Sequence, residues 1–191
     1  MKNKEHDSKE KEKARFKKIL ISMYPLFVAI GFFLFVQLIL IGFNIKMINI
    51  SGQSMMPTYH DGTFLLLKAQ KAKTDDIIVF TPPKTWSNDD GQKKYIKRII
   101  AEPGDTLTIS KDVIYVNLKP IKNISGDKYK SIDPITVTIP EHNYFVMGDS
   151  YNNSNDSLYE YSKGNKDFLI KEKTIFTTGT NVLKIRYKFG D

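Results

Sequence analysis

Cysteine is absent from this 191-residue chain. The absence excludes a disulfide scaffold, a thiolate zinc site and a cysteine nucleophile, and it leaves the cellular compartment open. Histidine is scarce, with only His6, His60 and His142. His6 lies in a charged tail and the other two read as isolated surface side chains. A histidine-based metal centre and a Ser-His-Asp triad are therefore both disfavoured, and neither metal nor cofactor is expected. A continuous basic stripe is also missing. The formal charge is +8, but residues 1–18 hold eight Lys or Arg against four acids, and the remaining +4 is dispersed. A nucleic-acid partner is not expected from that distribution.

Asp, Glu, Lys, Arg and His are missing from 27 consecutive positions, Ile19 to Ile45. As a helix this stretch reaches roughly 40 Å, against a hydrocarbon core of about 30 Å. It is too long for the apolar part of a cleavable signal peptide and ends in bulky residues rather than a small-x-small site. A core helix apolar on every face does not suit so small a protein. The stretch reads as a membrane-spanning helix, tolerating Pro25 and Gln37. Residues 1–18 read as a solvated cytoplasmic tail, at most partly helical. Arg15, Lys17 and Lys18 directly before the apolar run favour a cytoplasmic N-terminus. Residues 46–191 are then an extracytoplasmic domain.

That domain has the punctuation of β structure. Runs rich in Ile, Val, Phe and Tyr occupy 47–51, 63–68, 77–80, 95–101, 106–110, 113–116, 135–139 and 144–147. Pro82-Pro83, Pro103-Gly104 and Ser125-Gly126-Asp127 separate them. A mainly β fold is expected, an antiparallel barrel or folded sheet behind one N-terminal transmembrane helix.

Two segments carry candidate chemistry. In Ser51-Gly52-Gln53-Ser54-Met55-Met56-Pro57-Thr58, Gly52 permits an unusual backbone and Pro57 stops a strand, so Ser54 is expected on a bend facing a cleft. In Tyr95-Ile96-Lys97-Arg98-Ile99-Ile100-Ala101, alternation puts Lys97 on one face with Tyr95 and Ile99, and Arg98 on the other. The ordinary fate of such a lysine is to snorkel to water. A catalytic fate requires desolvation: an unperturbed lysine, with pKa about 10.4, is neutral in roughly one molecule in a few thousand at pH 7, and burial can lower that pKa by several units. A neutral amine could accept a serine proton; a guanidinium could not.

The order of four motifs then points to a family. Ser51–Thr58 resembles the nucleophile segment of bacterial type I signal peptidases. Asp75-Asp76-Ile77-Ile78-Val79-Phe80 resembles their substrate-strand segment, Tyr95 through Asp105 their lysine segment, and Met147-Gly148-Asp149-Ser150 through Asp156-Ser157 their last conserved segment. With the anchor, the resemblance covers roughly residues 19–157. It implies Ser54 as nucleophile, Lys97 as general base, and Ser154 as a hydroxyl positioning the amine. Asp156 and an Arg98–Asp149 ion pair are implied supports. The Ser54 N–H would serve an oxyanion hole, with a second backbone donor because Gly52 stands where many members have serine. An extended substrate would add beside 47–51 and 77–80, contacting Ile77 and Val79. Pockets for small side chains would involve Met55, Tyr95 and Ile96. The substrates implied are exported preproteins cut after a small-x-small site.

Departures from the family pattern are specific. Ser150, Tyr151 and Leu158 stand where Asn and two arginines are usual, which removes the customary partner of Asp156. Asp75 occupies a usual glycine, Ala101-Glu102 replaces a glycine and an apolar residue, and Asn117-Leu118 replaces an Asn-Gly turn. The stretch after Asp156 matches poorly. A divergent peptidase is the first expectation. The alternative is a signal-peptidase-like assembly factor acting on pilin subunits with little or no proteolysis. A self-cleaving repressor is disfavoured by the anchor.

Overall fold

The computed structural model describes residues 2–68, 70–86, 93–110, 113–123, 132–179 and 181–186. The chain divides into two units, Met1–Asn44 and Ile45–Asp191. The first is one helix, α1 (Lys2–Gly42). Its stretch Arg15–Gly42 is long and apolar enough to cross a membrane. Phe16, Tyr24, Phe32, Leu38 and Ile41 are all exposed, so the helix turns apolar side chains outward around its circumference. No packed protein core buries them, and a hydrocarbon environment would. The tail expected to be at most partly helical is helical from Lys2 onward, and the helix stops at Gly42 rather than at Ile45.

The second unit is β. Strands β1 (Ile45–Asn49), β2 (Thr63–Lys68) and β12 (Asn181–Arg186) form a sheet of order β1-β2-β12. A five-stranded sheet runs β10 (Ile170–Lys171), β9 (Asn143–Met147), β4 (Tyr95–Ala101), β3 (Ile77–Phe80) and β11 (Ile175–Gly179). A third sheet orders β7 (Lys119–Asn123), β6 (Val113–Val116), β5 (Thr106–Ile109) and β8 (Ile135–Thr138). The described strand pairs are all antiparallel. The mainly β expectation therefore holds. A short helix, α2 (Ser157–Ser162), lies in the part the sequence left without structure.

Two core clusters bracket the region of interest. Ile50, Met55, Tyr59, Leu65, Leu67, Ile77, Val79 and Ile96 pack together on one side. Ile100, Ala101, Leu107, Ile114, Phe145, Met147 and Leu158 belong to the other. Strict alternation in β4 would put Ile100 and Ala101 on opposite faces, yet both join the second cluster. The register with β9 slips between Ile99 and Ala101, and a bulge there re-aims the chain. The Ser125-Gly126-Asp127 turn lies outside the described residues.

Candidate active site

Ser54 sits in the turn between β1 and β2, as the Gly52 and Pro57 pattern foretold. Gly52 has φ +96, a conformation costly to residues with a Cβ. Its N–H donates to Asp61 Oδ1 at 2.8 Å. The turn is closed from within by Met56 N–H to Gln53 O and Tyr59 N–H to Met55 O. From outside, Ser150 N–H donates to Ser54 O at 3.0 Å. The last motif thus grips the first through backbone, and Ser150 needs no particular side chain to do so.

Lys97 lies in β4 and is only 4% exposed. Its Nζ donates to Ser54 Oγ at 2.9 Å and to Ile96 O at 2.9 Å. It also lies 5.4 Å from the Tyr95 ring centroid. Snorkelling is therefore not what this lysine does. Arg98 points the other way, as strand phase requires, and makes a two-pronged pair with Asp149: Nε to Oδ1 at 2.9 Å and Nη2 to Oδ2 at 2.8 Å. The Asp149 hydrogen bond raises the arginine's already high pKa, so this pair keeps its charge.

Beneath these residues is a second polar layer. Ser154 is 2% exposed and Asp156 is fully buried. Asp156 Oδ2 accepts Gly148 N–H at 3.0 Å, and Oδ1 accepts Tyr159 N–H at 3.2 Å, capping α2. Ser154 hydrogen-bonds the same carboxyl. Burial pushes the Asp156 pKa upward; Ser154, the two N–H donors and the Lys97 charge pull against that rise. No arginine is among these partners. Leu158, where an arginine was usual, is wholly buried in the apolar cluster, and Tyr151 packs against that cluster. The altered residues have replaced ionic support with apolar packing and helix capping.

Gly148 is the residue sequence reading underrated. A Cβ built there would meet both Ser154 Oγ and Ser54 O at 2.4 Å. Only glycine lets the last motif close on the serine turn. Its place in Met147-Gly148-Asp149 was visible, but its steric role depends on two segments remote from it in sequence.

An open cleft of about 420 Å³ is lined by Ser51 to Ser54, Lys93 to Lys97, Asn153 and Asn155. Along it, β4 presents an edge. Its ladder with β9 begins at Arg98↔Met147, so among the described strand pairs Tyr95 and Ile96 pair with β3 alone. β3 offers no such edge, because β4 and β11 occupy its two sides. The expectation of a substrate strand beside 77–80 is therefore corrected. Ile77 and Val79, each 3% exposed, are core residues, and Met55 is wholly buried beside them. Of the expected substrate contacts, Tyr95 and Ile96 line the cleft and Met55, Ile77 and Val79 do not. Ile96 belongs to both cleft wall and core. Among the described residues no cluster of His, Cys, Asp and Glu could hold a metal ion.

The chain matches the family model "Signal peptidase, peptidase S26" over residues 23–182, so the match runs past Asp156 despite the weak motifs there. It is 34% identical over 116 residues to a probable signal peptidase I-1 of Synechocystis, covering 56% of this chain and 59% of the relative. It is 31% identical over 156 residues to signal peptidase I U of Bacillus subtilis, covering 74% of this chain and 75% of the relative. A crystal structure of a signal peptidase I from Enterococcus faecalis is 25% identical, covers 59% of this chain and 99% of its own, and aligns with a TM-score of 0.42. The chain spans about three fifths of the length of the first relatives it matches, 59% and 61%. Serine turn, buried lysine and closing motif all fall within the matched span, and the chain belongs to the peptidase S26 signal peptidase family.

Proposed function

We propose that this chain is a membrane-anchored serine endopeptidase that removes signal peptides from exported preproteins after a small-x-small site. The observation that carries the reading is the 2.9 Å contact between Lys97 Nζ and Ser54 Oγ at a lysine 4% exposed. Burial favours the neutral amine over the ammonium. In that form the contact reverses: the Ser54 hydroxyl donates to the nitrogen lone pair while an amine N–H still serves Ile96 O. Lys97 takes the Ser54 proton as Oγ attacks the scissile carbonyl. The resulting ammonium then protonates the leaving amine, and an acyl-enzyme remains. Water repeats the sequence in reverse roles and frees Ser54. The Ser54 N–H is the first oxyanion donor. Gly52 N–H is committed to Asp61, so the second donor is another backbone group.

Ser154 positions the amine, and Asp156 holds Ser154, Gly148 and α2 in one arrangement. The edge of β4 at Tyr95 and Ile96 receives an extended substrate as an added strand, and these two residues shape the small pockets. Residues 1–18 form a cytoplasmic tail, 19–45 the membrane segment, and 46–191 the catalytic domain outside, with Arg15, Lys17 and Lys18 setting orientation. The intact Ser54–Lys97 contact weighs against an assembly role on pilin subunits, which needs no such pair. Full-length protein in detergent should cut a labelled precursor, and Ser54→Ala should lower kcat/KM by at least about 1,000-fold. Cleavage surviving in Ser54→Ala would refute the assignment.

A further inference from the structure

The cleft is charged on one side only. Its lining includes Lys93, Lys94 and Lys97 and contains no carboxylate among the described residues. Lys97 is engaged with Ser54, whereas Lys93 and Lys94 are exposed at the leading end of β4. Lys94 is held in place: its Nζ donates to Thr81 Oγ1 at 2.8 Å and lies 5.5 Å from the Phe176 ring centroid. Lys46 reaches the same ring at 5.9 Å and adds a further positive charge. Asp61, which holds the Gly52 N–H, is not part of that lining. Asp89 and Asp90, a few residues upstream, lie outside the described residues.

Lys93 and Lys94 stand four and three residues before Lys97. At about 3.3 Å per residue, their backbone is roughly 10–13 Å along the strand from the reacting amine. They precede Tyr95 and Ile96, whose edge opposite β3 has no partner among the described strand pairs, at the end of β4 where the β9 ladder has not begun. A substrate laid parallel to β4 along that edge, with its cut bond at Ser54, brings the residues four and five places before the cut to these two cations.

We infer that Lys93 and Lys94 make this cleft selective for preproteins with Asp or Glu roughly four or five residues before the cut, and against Lys or Arg there. The inference rests on the proposed peptidase reading. Each lysine is exposed, so each pair contributes modestly and is screened by salt. Their sum, attraction on one substrate and repulsion on the other, gives about a tenfold difference in kcat/KM between Asp and Lys substrates.

The test is a set of precursors differing only at those two positions, carrying Asp, Asn or Lys, cut by the full chain in neutral detergent. Wild type should prefer Asp over Lys about tenfold at low salt, with the ratio falling toward one in about 0.5 M salt. The double variant K93E/K94E should reverse the order. An unchanged ratio in K93E/K94E, or no charge preference in wild type, overturns the inference while leaving peptidase activity established. Absence of cleavage for all three precursors refutes the peptidase reading instead. A variant impaired equally on all three, and only in vesicles of anionic lipid, would assign the lysines to lipid headgroups and also overturn the inference.

Discussion

The sheet carrying Lys97 and the sheet carrying the Asn117-Leu118 turn use the same apolar residues under different constraints. In β5 and β6 burial strictly alternates, with Leu107, Ile109, Ile114 and Val116 inside and their neighbours half exposed. Such a sheet covers one core and leaves its other face to water. In β3 all four residues are buried, and so are five of the seven in β4. A strand covered on both faces has no cheap place for a charge. Lys97 is nonetheless there, the only Lys, Arg, Asp or Glu among the buried strand residues described. The one-sided sheet tolerates irregularity at its turns; the two-sided sheet tolerates it only where polar partners have been built around it.

Outside the reacting pair itself, the largest expected effect tests that closure. Gly148→Ala places a methyl on Ser154 Oγ and Ser54 O, so kcat/KM should fall at least about 100-fold, read by precursor cleavage, because small displacements of a reacting pair are costly. Activity within threefold of wild type would mean that the two segments need not touch.

Asp156→Asn is the next. Burial raises the Asp156 pKa, so its neutral form is the one the fold favours. Stability from this group is present below the unfolded value, near pH 4, and is lost as pH rises through the raised folded value. Asn keeps the shape and removes the titration. Thermal melts should therefore show the variant gaining on wild type as pH rises, with cleavage lowered about tenfold through weaker capping. A gap that stays constant with pH would show that Asp156 does not titrate in this way.

The smallest effect lies on the other sheet. Leu118 is 88% exposed with φ +66, beside Asn117 at φ +51. A two-residue turn of this hand favours Asn-Gly, and a leucine pays steric strain there. Leu118→Gly should stabilise the domain by about 1 kcal/mol in denaturant melts and leave cleavage unaltered. Lower stability would contradict the turn geometry.

How much of this was legible follows the same division. One-sided strands announce themselves by alternation, and 113–116 and 106–109 were found within a residue. The bend at Ser54 and the inward phase of Lys97 were legible from local pattern, and only the family resemblance paired the two. The edge of β4 at Tyr95 and Ile96 was not legible, since it depends on where the β9 ladder begins, and neither was the cover of β3 by β11, which lies in the weakly patterned C-terminal part. Asp75, at φ +72 where glycine is usual, shows the limit from the other side: the odd residue was visible, and the backbone that tolerates it was not. The same holds for Asp156, whose missing arginine could be read while its replacement by Ser154, Gly148 and the first turn of α2 could not.

The absence of cysteine allows one decisive chemical test of Lys97 as base. In Lys97→Cys the new thiol is the only one in the chain, so alkylation with 2-bromoethylamine installs an amine of nearly the same reach at that position alone. Precursor cleavage should drop at least about 1,000-fold in Lys97→Cys, recover to about a tenth of wild type or more after aminoethylation, and stay absent after alkylation with iodoacetamide. Equal recovery with both reagents, or full activity in Lys97→Cys itself, would contradict the proton transfer from Ser54 to Lys97.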